Sequence, residues 1–537
     1  DVPSNLSVRG EFAYLLPGSP KQTQLNGEAT TYVDDFEGAQ SAVDVKSPLS
    51  WRLSSIPNGY APSQTGVEPI QNTDLTAGFR RAKLAWYGID PIFYSSNKPS
   101  GVSDDDISTL EARRVFINEV IDQDIATGQT TVLQTLDLAY YPSKRGPYNN
   151  YDPSIQTSFE TNPSNNWAGI TRQLTTTDFE QSNVEFMEFW VQDPYYDDLE
   201  LASSGGKLTI NLGSISEDVL RDGRKLYENG LPEDGSINNT TSTNRGRVPT
   251  NQALIYAFDS EGDARTNQDV GLDGLINSAE ATYADPSTGT LLFNNGPVND
   301  PAGDNYVYYL NTPGSVLERY YNYNGTEGNS PVSISDTNRG STTLPDVEDI
   351  NRDNTMNTID SYYQYELDIT PGMNLTSNFV RDVKTRNVSL PNGTNKAVRW
   401  IQFRVPLRGS HAESVNGISD FRSVRFMRMF LSDFEEDVVI RFGTLELVRG
   451  DWRTYTQSLE GTDDPTDDIT DFEVGAVNVQ ENPNYVMPPG IELEELNNNN
   501  NVIRQNEQSL SLRVNDLETN DARAVFKNIN IDMLQFK

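Results

Sequence analysis

Two stretches rich in Asp and Asn carry the spacing of a calcium-binding loop. Residues 269–280 read DVGLDGLINSAE. An EF-hand-type loop needs oxygen donors at positions 1, 3, 5, 7, 9 and 12, a glycine at 6 for the sharp turn, and a carboxylate at 12 that closes on the ion. Asp269 falls at position 1, Asp273 at 5, Gly274 at 6 and Glu280 at 12, while Leu275 offers its carbonyl at 7 and Asn277 stands at 9. Ile276 supplies the usual apolar residue at 8, and the departure is Gly271, which removes the side-chain donor at 3. Residues 349–360 read DINRDNTMNTID. Asp349, Asn351 and Asp353 fill positions 1, 3 and 5, Thr355 offers its carbonyl at 7, and Asp360 closes the loop with a shorter arm than Glu. Asn354 replaces the glycine, and Asn tolerates left-handed backbone better than most residues. Flanking helices are not evident. The expected chemistry is therefore structural: Ca²⁺ stapling loops, at affinities of about a millimolar to tenths of a millimolar.

Few other residues suit chemistry. Without cysteine there is no thiol nucleophile, disulfide or Cys-type zinc site, and the single histidine, His411, lies in a polar turn, RGSHAESVNG, where exposure is expected. Asp34, Asp35 and Glu37 sit on one expected strand, where adjacent side chains point to opposite faces and cannot work as a catalytic pair. Asp193, Asp197 and Asp198 are expected to solvate a turn. Carboxylate-only glycosidase chemistry survives the composition, but no residue is assigned a catalytic role and the expectation is a non-enzyme. Acidic side chains outnumber basic ones 78 to 41, for a net charge of −37. Such a surface repels phosphate backbones, which excludes nucleic acid as a partner.

The elements that would position these loops read as β-strands. The 537 residues predict three or four domains, and an aromatic fraction of 10% argues for real cores. Leu6 to Leu16 alternates with period two and matches, in length and pattern, a strand of a membrane barrel. NVEFMEFWVQD (183–193) and SVRFMRMFLSD (423–433) match each other; a Trp precedes each (Trp167, Trp400), and an Ile-x-apolar-Gly strand follows each (Ile210–Gly213, Ile440–Gly443). Ordered matches across several elements indicate duplication. The expected fold is mainly β, with two related jelly-roll-like antiparallel sandwiches inserted in a very large outer-membrane β-barrel protein. The boundaries are 1–30 for a barrel-type strand and connection, 31–230 and 362–455 for the sandwiches, 231–361 for a polar insert carrying the calcium-type loops, and 456–537 for an acidic linker and C-terminal β region. YVDDFEG (32–38) followed by Trp51 looks like the opening strand of a jelly roll similar to carbohydrate-binding modules. Leu110–Ile121 and Ser216–Tyr227 are expected helices, and the run Asn497–Asn501 a solvated loop. With no initiator Met, signal peptide or apolar run of transmembrane length, the chain reads as an internal fragment of a longer protein.

The Leu6–Gly18 strand, YVDDFEGAQS (32–41), RAKLAWYGIDP (81–91), LDLAYYPSKRGPYN (136–149), VEFMEFWVQDPY (184–195), GKLTINLGSISEDVL (206–220) and YVMPPGIELE (485–494) together resemble the SprA/Sov family. That family forms the outer-membrane translocon of the type 9 secretion system in gliding bacteria. The resemblance implies a single-chain barrel of very many strands, with this fragment a large insertion on the extracellular side of the cell outer membrane. It implies a shuttle barrel protein of the PorV type, a plug protein, secreted cargo with a C-terminal signal, and outer-membrane lipid as partners, and export of folded proteins and gliding motility as function. A calcium-stabilised surface adhesin or glycan-binding sandwich is the alternative.

Overall fold

The computed structural model describes residues 24–25, 28–29, 40–57, 78–122, 131–150, 159–196, 203–251, 256–260, 263–294, 296–450, 452–455, 457–459, 470–478, 495–498, 501–504, 508–519 and 521–527. The expected strands at Leu6–Leu16 and 32–38, and the 485–494 motif, lie outside these. The chain divides into two compact units, one of residues 43–120 and 131–447, the other of 1–42, 121–130 and 448–537.

The first unit is built on β1 (Gln40–Asp44), β2 (Arg52–Leu53), β3 (Ala82–Tyr87), β4 (Leu136–Arg145), β5 (Trp167–Gln173), β6 (Val184–Gln192), β7 (Gly206–Ser214), β8 (Thr240–Ser242), β9 (Arg247–Pro249), β10 (Ser361–Ile369), β11 (Val380–Ser389), β12 (Asn395–Pro406), β13 (Glu413–Val415), β14 (Phe426–Ser432) and β15 (Val438–Gly450). One sheet runs β13-β10-β7-β14-β5-β2, and the other runs β11-β12-β6-β15-β4-β3 with β1 also on β15. The registered pairings within both are antiparallel. Among the described residues the sheets do not close into a barrel.

The duplicated segments explain the order. In the first copy the Trp strand (β5) and the Ile-x-apolar-Gly strand (β7) lie in one sheet and the FM strand (β6) in the other; in the second copy the assignment is reversed. Consequently β14 of the second copy pairs with β5 and β7 of the first, while β6 of the first lies between β12 and β15 of the second. The expectation of two separate sandwiches is corrected: the copies interlock into one. The reason is hydrogen bonding. Each copy's Trp and Ile strands leave a gap that only the other copy's FM strand fills, and unpaired buried backbone is costly.

Between the sheets, Met187, Phe189, Val191, Ile401, Phe403, Ile440 and Phe442 face Ile170, Leu208, Ile210, Leu212, Met427, Met429 and Leu431 in a single buried cluster. Each such side chain contributes about 1.5–3 kcal/mol relative to exposure. The seven-stranded sheet is covered on its outer face too. There Glu119, on α1 (Ile117–Val120), accepts hydrogen bonds from Trp400 Nε1 at 3.2 Å and from the buried Arg113 at 2.7 and 3.0 Å. Tyr87 stacks on Tyr320 at 4.2 Å, and Tyr320 on Tyr309 at 4.7 Å. Burial on both faces is why apolar residues stand side by side in β6, at Phe186–Met187 and Phe189–Trp190–Val191.

The expected helix at Ser216–Tyr227 is absent. Arg221 and Gly223 adopt left-handed backbone, φ 55° and 70°, which breaks a helix, and Val219, Leu220 and Leu226 instead bury themselves against Tyr148, Leu272 and Phe293. Of Leu110–Ile121 only Ile117–Val120 is helical. His411 is half-buried, its Nε2 2.6 Å from the Pro406 carbonyl. No helix among the described residues is long and apolar enough to cross a membrane.

In the second unit Asp471–Asn478 pairs antiparallel with Gln508–Asn515, and Trp452–Thr454 with Val525–Lys527. Glu495–Asn498 pairs with Asn501–Arg504, so Asn497, Asn498 and Asn501 of the expected solvated loop are strand residues of a hairpin.

Candidate metal centre

The insert between β7 and β10 brings the first calcium-type loop together. α2 (Ala264–Gln268) leads into it. Gly271 and Gly274 take left-handed backbone, φ 77° and 66°, and turn the chain sharply. Val270, Leu272 and Leu275 point into the interior, the Asp273 carbonyl accepts from Arg247 N of β9 at 2.8 Å, and α3 (Asn277–Glu280) carries the closing carboxylate. Asp273 and Glu280 thus converge from positions 5 and 12.

A third acid joins them from outside the loop. One carboxylate oxygen each of Asp273, Glu280 and Asp304 lies within 4.8 Å of the others, and all three residues are buried. A side chain at Gly271 would place its Cβ 2.1 Å from Asp304 Oδ2. The absent position-3 ligand therefore has a physical counterpart: Asp304 fills that space, and only glycine leaves room for it.

These carboxylates are poorly satisfied by protein. Asp273 Oδ1 accepts from Leu275 N at 3.0 Å and Glu280 Oε2 from Ala302 N at 2.8 Å. Asp273 Oδ2, Glu280 Oε1 and both oxygens of Asp304 are buried without a hydrogen-bond partner. Among the described residues no basic side chain forms an ion pair with any of the three; Lys83, whose charge feels Asp300 and Asp304, gives its ammonium to Asn322 at 3.1 Å. Burial, reinforced by Glu327 and Asp300, pushes Glu280 up to about 8, and burial together with the neighbouring carboxylates holds Asp273 and Asp304 well above the usual range. Buried like charges of this kind must take up protons or a cation. An all-oxygen set with two acids from one tight loop suits a hard divalent ion, Ca²⁺ above Zn²⁺.

The remaining sequence-derived ligands go elsewhere. Asp269 Oδ1 accepts from Gly328 N at 2.8 Å, outside the cluster. Asn277 keeps a buried Oδ1 without a partner. The second loop is not gathered round a common point. Asp349 takes Lys225 at 3.3 Å and the peptide N–H groups of Asp353 and Asn354 at 3.1 and 3.0 Å. Asp360 takes Arg221 at 3.2 Å and Ser216 N at 3.0 Å. The half-buried Asn351 and the exposed Asp353 bond each other, and Asp353 also accepts from Thr355 N at 2.9 Å. Basic side chains stand where a cation would, because the loop folds back on Lys225 and Arg221. Asn354 does adopt φ 70°.

Another acid set, the buried Asp218 and Glu348 with the half-buried Asp222, is better served by peptide donors. Glu348 accepts from Val219, Leu220 and Leu226 N at 2.7, 3.1 and 3.0 Å, Asp218 from Asp222 and Gly223 N at 3.2 and 3.0 Å, and Asp222 from Arg224 N at 2.8 Å. Peptide donors serve most of its oxygens, Asp222 Oδ2 excepted, and these bonds brace the Ser216–Tyr227 segment. Asp193, expected to solvate a turn, is buried on Arg399 Nε at 2.7 Å.

Sequence reasoning missed Asp304. Its signal was the glycine at position 3 together with a second Asp/Gly run, DPAGD, over 300–304.

No curated protein matches the chain. Residues 288–537 match the SprA_N family, described as motility related/secretion protein. That stretch contains Asp304, the second loop and every strand from β10 onward, with Asp273 and Glu280 just before it. The likeness to that family thus covers residues 288–537, a little under half of the chain.

Proposed function

We propose that the chain is a segment of the outer-membrane, protein-conducting translocon of the type 9 secretion system, exporting folded proteins and supporting gliding motility. The match of residues 288–537 to a motility and secretion family carries this reading. The segment acts by shape and without catalysis, as a rigid frame on the extracellular side of the pore, served by a shuttle barrel, a plug and signal-bearing cargo. Its interlocked sandwich suits that work, since each half is held by strands of the other. Ca²⁺ held by Asp273, Glu280 and Asp304 staples the insert, neutralising charge that the protein leaves uncompensated. The net charge of −37 suits a passage along which folded proteins slide without sticking.

The test is removal of residues 43–447 from the parent gene, with membrane insertion of the remainder checked by immunoblot. Cargo retained in the periplasm and loss of gliding are the expected result. Normal export with loss of surface attachment alone would overturn the reading and indicate an adhesin.

A further inference from the structure

We infer that the insert takes a second Ca²⁺, on Glu228, Asp269 and Asn329, once the first is seated on Asp273, Glu280 and Asp304. The inference rests on that first site as proposed above. Remote parts of the insert meet at this point. Tyr227 and Val347 form an antiparallel bridge. Beside it Glu228 N donates to the Asp346 carbonyl at 2.9 Å, and Asp346 N to Glu228 Oε2 at 2.7 Å. Asp269, position 1 of the first loop, brings its carboxyl to hydrogen-bonding distance from that of Glu228. Residues 327–329 run alongside. Glu327 N donates to the Asp304 carbonyl at 2.9 Å, Gly328 N to Asp269 Oδ1 at 2.8 Å, and Asn329 Nδ2 to Asp346 Oδ2.

What this point lacks is a donor. Glu228 is 0% exposed and its Oε1 has no hydrogen-bond partner; Asn329 is 3% exposed and its Oδ1 has none. Two carboxyl groups in contact are acceptors facing each other, and buried they need a proton or a cation between them. The guanidinium groups nearby act on Asp346: Arg52 Nε lies 3.5 Å from its Oδ1, and Arg352 bears on it from the surface. Burial and the charges of Asp346 and Asp269 hold the Glu228 carboxyl well above the usual range. A shared proton would still leave one negative charge on the pair and the Asn329 oxygen idle. A divalent ion neutralises both carboxylates and uses that oxygen, an all-oxygen set that suits Ca²⁺. Asp269 is half-buried, so water completes the coordination from its side. Order of binding follows from the loop. Asp269 stands four residues before Asp273, across the left-handed turn at Gly271, and the first ion, by holding that turn, holds Asp269 against Glu228.

The test counts Ca²⁺ bound to the full chain by equilibrium dialysis, with excess Mg²⁺ present to compete for surface carboxylates. The expected counts are two ions on the unsubstituted chain, one on Glu228→Gln and none on Asp304→Asn. Glutamine keeps the shape of Glu228 and offers Asp269 an amide donor, which preserves the fold; should that variant unfold, Asp269→Asn takes its place with the same count expected. One ion on the unsubstituted chain, or equal counts with and without Glu228→Gln, overturns the inference and leaves the first site standing, with a shared proton joining Glu228 to Asp269. An ion kept by Asp304→Asn overturns the order of binding. No ion on any chain removes the first site, and this one with it.

Discussion

Gly271 and Asp304 are one feature seen from two residues: the glycine is empty space, and the aspartate is what fills it. If a cation is bound there, chelation should lower the melting temperature of the unsubstituted chain, and Asp304→Asn should remove that response while Asp353→Asn, in an exposed turn of the second loop, keeps it. For a site of about 0.1–1 mM affinity, 10 mM Ca²⁺ stabilises by roughly 1.4–2.7 kcal/mol. Calorimetric melting with and without chelator reads this directly, and an equal response in Asp304→Asn would remove Asp304 from the site. The second loop makes a separate point about spacing. Its donors were legible at positions 1, 3 and 5, but the Lys225 and Arg221 that answer Asp349 and Asp360 come from a segment distant in sequence, which no loop pattern records. Glu217 organises that loop, accepting from Ile350 N at 2.6 Å and Asn357 N at 2.9 Å. Burial pushes it up to about 7 against the pull of those N–H groups. A carboxyl raised in the folded state stabilises below its unfolded value of about 4.3, and that contribution is lost as pH rises through about 7. Glu217→Gln, which cannot ionise, should therefore gain melting temperature relative to the unsubstituted chain between pH 5 and pH 8. A difference that stays constant with pH would show that Glu217 ionises normally.

At the scale of elements, duplication was legible and its geometry was not. Identical Val, Phe and Met spacing marked two copies, and with them the strands β6, β7, β14 and β15. What the sequence lacks is any sign of which strand pairs with which, because partner choice is set by long-range hydrogen bonding and by register across copies. The helix expected at Ser216–Tyr227 failed for a local reason, the left-handed Arg221 and Gly223, and for a tertiary one, the pull of Leu226 and Val219 into the core. Interlocking has a direct consequence. Residues 131–230 alone lack β14, the strand between β5 and β7, and residues 362–455 alone lack β6. Neither fragment should show a cooperative thermal transition by circular dichroism, and mixing the two should restore one in part. A fragment that melts cooperatively by itself would mean that the copies are independent domains. Close approach at the seam gives a single-site version of the same test. A Cβ on Gly169 would lie 2.7 Å from Phe430 Cβ and 2.8 Å from the Met429 carbonyl across the β5–β14 pairing. Gly169→Val should destabilise by about 2–3 kcal/mol, measured by chemical denaturation, whereas the same change at Gly393, which has open space, should act only through its left-handed backbone.

For the whole molecule the governing quantity is the charge of −37, which opposes compaction everywhere, whereas the buried acid set opposes it at one point. Salt and calcium therefore separate the two. Raising NaCl from about 10 mM to about 150 mM shortens the Debye length from about 30 Å to about 8 Å. This relieves surface repulsion and should raise the melting temperature gradually in the unsubstituted chain and in Asp304→Asn alike. The buried carboxylates are shielded from that screening by the protein around them, with Asp273 and Asp304 fully inaccessible to solvent. Adding 5 mM Ca²⁺ on top of 150 mM NaCl changes the bulk ionic strength little, so a further rise there reports site binding and should be confined to chains that retain Asp304. Magnesium is the discriminating control, because it demands near-ideal octahedral geometry and gives up its waters reluctantly. At equal concentration it should reproduce the general screening and little of the additional rise. If Mg²⁺ and Ca²⁺ act equally, or if both effects vanish together at high NaCl, the divalent cation is neutralising the surface and the three carboxylates are holding protons instead.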